Sequence, residues 1–461
     1  MIHISKKAIT SSYRNYEKQQ RVTDTKTIKA LKSGIWIYFL LLIFEGALRK
    51  WFLPFLATPL LIIRDPVAIW LIVTASKQKL LPSNIYLNLI LTVGVLGILT
   101  GVFFGHGNLF VAFYGARVLL FHFPVIFIIG KIFNKDDILR LGRVTLIIAI
   151  PMALLTAMQF YSPQSAWVNR GIGGDMAGAG FTGALGFSRP PGTFSFTNGN
   201  SLFWGFASCF IFYFWLFTKE INKLILIGAS AALLISIPLS ISRGLFFQVA
   251  VTAAFTILAT LRKPQYLGPL ILSIFGIFIV LALLSQSSYF QTASEAFTSR
   301  FENATESEGG LEGVLIDRYL GGMVGALTNN STIPFFGYGI GMGSNVGSML
   351  LTGERKFLIS EGEWGRLIGE LGPVLGLIVV FIRLGLAMKI AMASYKNLAF
   401  SNFLPWLLLS FGLTNIPQAT WAQPTSMGFS IIIGGLLIGS IKCNDNKSTD
   451  LERKRIAEKK L

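Results

Sequence analysis

Long apolar runs constrain this chain more than any other feature of its sequence. Hydrophobic residues make up 52% of the 461 residues and charged residues only 13%, whereas an average soluble domain is about 25% charged. A soluble core cannot bury so many apolar side chains. Since a bilayer-spanning helix needs about 20 mostly apolar residues, we predict an all-α integral membrane protein with about 12 transmembrane helices. The runs are 34–52, 58–75, 84–104, 109–130, 142–160, 200–217, 222–240, 244–262, 267–286, 366–387, 401–416 and 424–441.

The polar segments between the runs define the predicted domain organisation. Two of them are long: 161–199, which is rich in Gly, and 287–365, which is polar. Basic tails occupy 1–33 and 442–461. The sequence contains no recognisable internal repeat, so we predict one polytopic membrane domain over 34–441.

The net charge of +18 has two possible meanings, a nucleic-acid surface or a membrane topology signal. With a cytoplasmic N-terminus, most of the 40 Lys and Arg residues fall in the tails and cytoplasmic loops, with Arg383 counted in a loop after the tenth run. Cytoplasmic loops of membrane proteins are rich in Lys and Arg. We therefore predict that both termini are cytoplasmic and that both long loops face outward. The positive charge then reflects membrane topology and does not indicate a nucleic-acid-binding surface.

Cysteine and histidine are too scarce for several kinds of chemistry. The two cysteines, Cys209 and Cys443, cannot build a disulfide framework. The three histidines, His3, His106 and His122, form no cluster with metal-ligand spacing. We predict neither a metal nor a cofactor.

Ionisable residues at membrane depth are costly and indicate function by default. Arg117 lies in the middle of FYGARVLLFHFP with no acid within one helical turn. It either pairs across helices or binds an anionic ligand, and we favour the ligand. Arg64 and Asp65 precede Pro66, where a local ion pair at a helix start would explain them.

A second group of charges ends the first run, in FEGALRKWFLP. Glu45 and Arg49 have the i,i+4 spacing of a helical ion pair, and a functional role for them stays open beside it. Arg49, Lys50 and Trp51 are typical of an anchor at the membrane interface.

Two short outward segments carry further arginines. Arg189 lies in FSRPPGTFSFTNGNS, where Asn198 and Asn200 could bind sugar hydroxyls or cap the helix that follows. Arg243 lies in PLSISRGLFF, in a very short turn between two runs. A guanidinium group is the natural bidentate partner of phosphate, so both arginines are candidates for an anion site.

The long outward loop contains two notable motifs. One is IDRYLGGM, with Arg318, and the other is PFFGYGIGMGSN, with Tyr338. The glycine spacing is superficially that of a nucleotide-binding loop, but no strand precedes it. We predict a flexible substrate loop instead.

The end of this loop, ISEGEWGRLIGELGPVLG, permits two interpretations. Ser360 and Glu363 match the capping box of a helix start. Glu363, Arg366 and Glu370 also share one helical face, so Glu363 or the nearby Glu361 could act as a general base beside arginine.

Together these segments resemble the O-antigen polymerase and O-antigen ligase superfamily of bacterial envelope proteins. The resemblance is carried by RPPGTFSFTNGNS, SISRG, FGYGIGMG and EGEWGRLIGELGPVLG, and the opening FEGALRKWFLP followed by RDP is similar to the exopolysaccharide-polymerase-like branch. It implies a multi-pass protein of the bacterial cytoplasmic (inner) membrane, whose active site faces the extracytoplasmic side.

The resemblance also implies a donor and its binding residues. The donor is a polyprenyl (undecaprenyl) diphosphate-linked oligosaccharide, and no metal or nucleotide is required. Arg189, Arg243 and Arg318 match the family's diphosphate-binding arginines. The ligases place a histidine at the end of the large loop, where this chain has Glu363 or Glu361. That departure argues against a typical lipopolysaccharide ligase.

The function predicted in this way is polymerisation of lipid-linked repeats into O-antigen or exopolysaccharide by metal-independent, inverting glycosyl transfer. One alternative is ligase-type transfer of the glycan to another acceptor, and another is a polysaccharide-lipid flippase or transporter. The expected partners are the lipid-linked donor, the bilayer and a chain-length regulator protein. The predicted catalytic residues are Glu363 and Glu361, and the predicted substrate contacts are Arg117, Arg189, Arg243, Arg318, Arg366, Tyr338 and Asn198.

Overall fold

The fold, given by a computed structural model, is almost entirely helical. The structure describes residues 6–307, 333–354 and 356–458, together with the isolated positions 325 and 328. The α-helices of these residues, numbered α1 to α15 in chain order, are Lys6–Ala47, Arg64–Lys77, Ile85–Phe103, Leu109–Arg117, Phe123–Ile132, Lys135–Tyr161, Thr197–Leu216, Lys223–Leu239, Arg243–Arg262, Leu267–Leu284, Ser288–Ser307, Asn345–Thr352, Glu363–Ala399, Leu404–Gln418 and Pro424–Glu458.

Short helical turns extend or connect these helices. A π-helical turn continues α1 over Leu48–Phe52, and another joins α4 to α5 over Val118–His122. Because π-turns are often found at functional sites, both positions are relevant below. The 3-10 turns are Pro54–Leu56, Pro59–Ile62, Trp167–Asn169, Ile172–Gly174, Thr218–Glu220 and Pro264–Tyr266.

Within the described residues, eight helical segments are long and apolar enough to cross a membrane. This confirms the coarse prediction of a helical, membrane-embedded protein. The runs 200–217, 222–240, 267–286 and 401–416 lie on α7, α8, α10 and α14, which fall outside those eight. The eight segments are Thr25–Phe52, Pro59–Lys77, Ile85–Phe103, Leu109–Ile132, Lys135–Tyr161, Arg243–Arg262, Glu363–Ala399 and Pro424–Lys442.

One β-hairpin interrupts the all-α fold, in the Gly-rich segment 161–199. Its strands, Phe181–Ala184 and Phe187–Arg189, pair antiparallel with Phe181 opposite Arg189. The turn consists of Leu185 and Gly186, both with positive φ, as a two-residue hairpin turn requires. The segment 287–365 is likewise not all loop, because α11 and α12 lie in it.

Helix α13 breaks near its start. Gly372 has φ 78° and ψ 169°, which is not helical, and Pro373 follows it. A Cβ atom on Gly376 would lie 2.7 Å from the Cα atom of Ile368, so the backbone on one side of the break packs directly on the backbone of the other. The chain therefore turns back on itself at this glycine.

The ion pair between Glu363 and Arg383 gives the size of this reversal. The two residues are 20 positions apart, which would separate them by about 30 Å on a straight helix. Their side chains meet at 2.6 Å. We therefore name residues 363–371 the short arm and residues 373–399 the long arm of a helical hairpin. The prediction of one uninterrupted helix over 366–387 is wrong.

The centre of the bundle is formed by α5 and by Pro424–Lys442 of α15, which pack against each other and are mostly buried. Helix α14 packs between α13 and α15. By contrast, α9 has most of its surface exposed and packs mainly on α7 and α14. Polar contacts of the candidate site lie among α13, α14 and α15.

Candidate functional site

The turn between α14 and α15 connects three distant parts of the chain. We call residues 419–426 the central turn. Its Ala419 carbonyl accepts a hydrogen bond from Arg383 at 2.9 Å, and its Pro424 carbonyl accepts one from Arg64 at 2.5 Å. Its Ser426 hydroxyl accepts one from the Asn198 amide at 3.0 Å. The long arm, the start of α2 and the start of α7 therefore meet at one end of the bundle.

Alternating charges link the short arm to the long arm. Arg383 Nη1 lies 2.6 Å from Glu363 Oε1, and Arg366 binds the same Glu363 carboxylate at 2.9 and 3.0 Å. Arg366 Nη1 then binds Glu370 at 2.5 Å, and Glu370 accepts the Gly343 N–H at 2.8 Å. We call Glu370, Arg366, Glu363 and Arg383 the charge chain. The prediction that Glu363, Arg366 and Glu370 share a face is confirmed.

The capping-box interpretation of Glu363 is wrong. The residue that caps the short arm is Gly362, without a side-chain cap, and the Ser360 hydroxyl accepts the N–H of Gly362 at 3.2 Å. Glu363 is 2% exposed and its carboxylate is ion-paired with Arg366 and Arg383, whereas Glu361 is exposed. Of the two predicted carboxylates, Glu361 is the one that is open to solvent.

Arg383 is the main residue that sequence reasoning missed. It is 1% exposed, so its assignment to a cytoplasmic loop is wrong. Its Nε donates to the Ile416 carbonyl at 2.9 Å, and its guanidinium plane lies 4.1 Å from the Trp421 ring centroid. The available signal was a single arginine inside the apolar stretch GLIVVFIRLGLAM.

The glycine-rich motif is packed and not a loosely held loop. Tyr338 and Gly339 donate their backbone N–H groups to the Gly369 and Glu370 carbonyls at 2.8 and 2.9 Å, which satisfies the end of the short arm. Gly341 has φ 92° and leaves no room for a Cβ atom against α4. The prediction of a flexible loop is wrong, although Tyr338 itself is only half-buried.

Arg117 pairs across helices. Its Nη1 lies 2.8 and 3.0 Å from the two Asp65 oxygens, and its guanidinium lies over the Tyr114 ring. The same Asp65 carboxylate is 2.8 Å from His122 Nε2, and His122 Nδ1 is 2.8 Å from the Tyr38 hydroxyl. We call Asp65, Arg117, His122 and Tyr38 the Asp65 cluster. Of the two alternatives for Arg117, the structure shows the interhelical ion pair, whereas the sequence alone favoured an anionic ligand.

Arg64 and Asp65 do not form the local pair that their adjacency suggested. Asp65 belongs to the Asp65 cluster, whereas Arg64 Nε lies 3.4 Å from Glu45 Oε2 and its Nη2 reaches the Pro424 carbonyl. Gly428 has no side chain, and this leaves room for the Arg64 guanidinium. Glu45 also lies 3.4 Å from Arg49 Nη1, which confirms the i,i+4 ion pair.

Arg49 and Lys50 are buried, at 6% and 1% exposed, so they do not serve as an exposed interfacial anchor. Arg49 donates to the Ala57 carbonyl at 2.7 Å and to the Ser195 hydroxyl at 3.0 Å. The Lys50 ammonium donates to the Gly192 carbonyl at 2.7 Å. The end of α1 thereby holds the segment that precedes α7.

The two asparagines Asn198 and Asn200 lie in the first turn of α7 and do not cap it. The N-cap residue is Phe196, without a side-chain hydrogen bond. Asn200 is fully buried and donates to the Pro190 carbonyl at 3.1 Å, and Asn198 is exposed and binds the central turn. The capping interpretation is therefore wrong, and Asn198 remains available to a ligand from its exposed side.

Two of the three predicted diphosphate-binding arginines, Arg189 and Arg243, are among the described residues. Arg189 ends the second strand and is half-buried. Arg243 begins α9 and is also half-buried; the neighbouring Ser242 caps that helix and accepts a hydrogen bond from Ser201 of α7 at 3.0 Å. Arg318 lies outside the described residues. Among the described residues, no group of three His, Cys, Asp or Glu side chains could hold a metal ion.

These features define a helical membrane protein with a dense set of buried ion pairs at one end of its bundle. Comparison of the chain with models of known protein families, with curated proteins and with solved structures finds no match.

Proposed function

We propose that this protein polymerises polyprenyl-diphosphate-linked oligosaccharide repeats into O-antigen or exopolysaccharide. The observation that carries the proposal is that the four segments of the resemblance lie together. RPPGTFSFTNGNS reaches the central turn through Asn198. EGEWGRLIGELGPVLG is linked to it through Glu363, whose carboxylate binds Arg383, which in turn binds the Ala419 carbonyl. FGYGIGMG is bound by Glu370 of the short arm, and SISRG is joined to α7 through Ser242.

The proposed topology places this end of the bundle on the extracytoplasmic side of the bacterial cytoplasmic membrane, with about 12 spans and cytoplasmic termini. The opposite end carries basic residues, among them Lys32, Lys135 and Arg143, which bind Asp137 and Glu220. This distribution agrees with the positive-inside rule and supports long outward loops.

The proposed reaction is a single displacement. A sugar hydroxyl of the acceptor attacks the anomeric carbon of the donor, the bond from that carbon to the diphosphate oxygen breaks, and the lipid diphosphate leaves with the electron pair. Glu361 accepts the hydroxyl proton. Arg189, Arg243 and, from the resemblance, Arg318 stabilise the negative charge on the leaving group. The anomeric centre is inverted.

Two predicted substrate contacts take another role in this proposal. Arg117 is engaged by Asp65, and Arg366 lies between Glu363 and Glu370. Guanidinium groups that already hold buried carboxylates would leave those carboxylates uncompensated if they turned to a ligand. We therefore assign both arginines to the framework of the site.

Reconstitution tests the proposal directly. Proteoliposomes that contain the purified protein and a polyprenyl-diphosphate oligosaccharide should produce a ladder of longer lipid-linked glycans, resolved by gel electrophoresis or mass spectrometry. Transfer to a separate acceptor without a ladder would replace the polymerase with the ligase. Movement of the lipid across the bilayer without a new glycosidic bond would exclude both and favour a flippase.

Arg243 variants test the diphosphate site. Arg243→Ala and Arg243→Lys should each lower the transfer rate about 10- to 100-fold, since hydrogen bonds to charged groups contribute about 1.5–3 kcal/mol and lysine cannot bind bidentately. Arg262→Ala is the matched control, because Arg262 lies at the other end of α9 and contacts Tyr395. Parental rates in both Arg243 variants would remove this residue from the site.

A further inference from the structure

We propose that Arg383 is a positioning residue that holds the short arm, and with it Glu361, in the orientation that glycosyl transfer requires. The role of Glu361 rests on the proposed function. The packing of the short arm through its contact with Arg383 does not depend on the proposed function, and it can be measured separately.

The guanidinium group of Arg383 is fixed on every side. One nitrogen binds the Glu363 carboxylate at 2.6 Å, and the other two donate to the carbonyl groups of Ile416 and Ala419 at 2.9 Å. Its face packs on Trp421. Glu363 is thereby bound to a group of the long arm that is also held by α14 and by the central turn, so its own position is defined.

The short arm needs such a support. Isolated helices shorter than about 12–15 residues are marginally stable, and the break at Gly372 separates this arm from the long arm. The glycine-rich motif satisfies the carbonyl groups at its C-terminal end, and Arg383 binds its first residue, Glu363, through the carboxylate. Glu361 precedes Glu363 by two positions, with only the N-cap residue Gly362 between them, so its location follows that of the arm.

The charge chain also connects the glycine-rich motif to the central turn, which we take as the two sides of the candidate site. Glu370 accepts the N–H of Gly343, in the glycine-rich motif that also contains Tyr338, and Arg383 binds the central turn that holds Asn198. Buried ion pairs are directional but often no more stabilising than apolar contacts of the same volume. Four alternating charges in this place are therefore better explained by alignment of the two sides than by stability alone.

Thiol labelling measures the seating of the arm without any glycan. Leu367 of the short arm is 3% exposed, so Leu367→Cys in a Cys443→Ser background should react slowly with a soluble maleimide. Adding Arg383→Gln should accelerate labelling several-fold, and Arg383→Lys should give an intermediate rate. Ile359→Cys, which packs against Gly369, is a second reporter should Leu367→Cys lower the yield of folded protein.

Kinetics then test the consequence for transfer. Arg383→Gln should lower kcat about 10- to 100-fold, the scale of a misplaced catalytic group, while the donor KM stays unchanged. Arg383→Lys should recover part of kcat. Lys135→Gln, which breaks an ion pair at the opposite end, is the control and should match the parent in labelling and in kcat.

The outcomes separate the two proposals. Unchanged labelling in Arg383→Gln, or loss of folded protein with unchanged kcat per folded molecule, would overturn the positioning role. If the parent protein transfers no glycan, the proposed function fails, and labelling alone decides whether Arg383 seats the arm.

Discussion

Replacement of Asp65 by Asn should lower the free energy of unfolding by about 3–5 kcal/mol, the effect of removing one partner from a buried ion pair. Arg117 is 4% exposed, and its Nη1 lies 2.8 and 3.0 Å from the two carboxylate oxygens of Asp65. Asparagine keeps the shape of the side chain and an oxygen for His122, so the change isolates the loss of charge. Thermal and denaturant unfolding in detergent would measure the effect.

A double variant provides the internal control for this prediction. Asp65→Asn with Arg117→Gln removes both charges, and it should recover most of the lost stability because no uncompensated charge remains. Lys135→Gln is the comparison for a more exposed pair and should lower stability by about 1 kcal/mol or less. If Asp65→Asn unfolds like the parent, the pair between Asp65 and Arg117 does not stabilise the fold, and the prediction is wrong.

Apolar runs predicted the helical membrane fold because hydrophobic length alone determines what can cross a bilayer. They did not predict the reversal of α13, since the pair Gly372–Pro373 inside an apolar run is equally compatible with a kinked helix. Gly372 packs against the backbone of Phe335 and Gly337, which lie far away in the sequence and leave no room for a Cβ atom. Contacts between residues so distant in sequence cannot be predicted from the local sequence pattern around Gly372.

Local spacing likewise predicted part of the site. The i,i+3 and i,i+4 pairs of Glu363, Arg366 and Glu370 follow from helical geometry alone. The pairing of Asp65 with Arg117 joins residues 52 positions apart, and it depends on which helices are neighbours. Arg383 was misassigned for the same reason: its partner lies 20 positions away, across a reversal that the sequence pattern did not predict.

Replacement of Glu361 by Gln should lower kcat for glycan transfer by about 10²–10⁴-fold, the usual contribution of a general base. The donor KM should change little, because Glu361 contacts the acceptor hydroxyl in the proposed reaction and not the diphosphate. Since Glu361 is exposed, the folded protein should be as stable as the parent. Initial rates at several donor concentrations, with unfolding measured in parallel, would provide both results.

Glu354→Gln is the matched control, because Glu354 is an exposed carboxylate of the same segment, 287–365, and pairs with Lys356. Glu363→Gln should behave differently from both. It removes a counter-charge of the buried Arg366 and Arg383, so it should lower stability together with kcat. A Glu361→Gln protein that retains kcat, beside a stably folded Glu363→Gln protein that loses it, would transfer the role of base from Glu361 to Glu363.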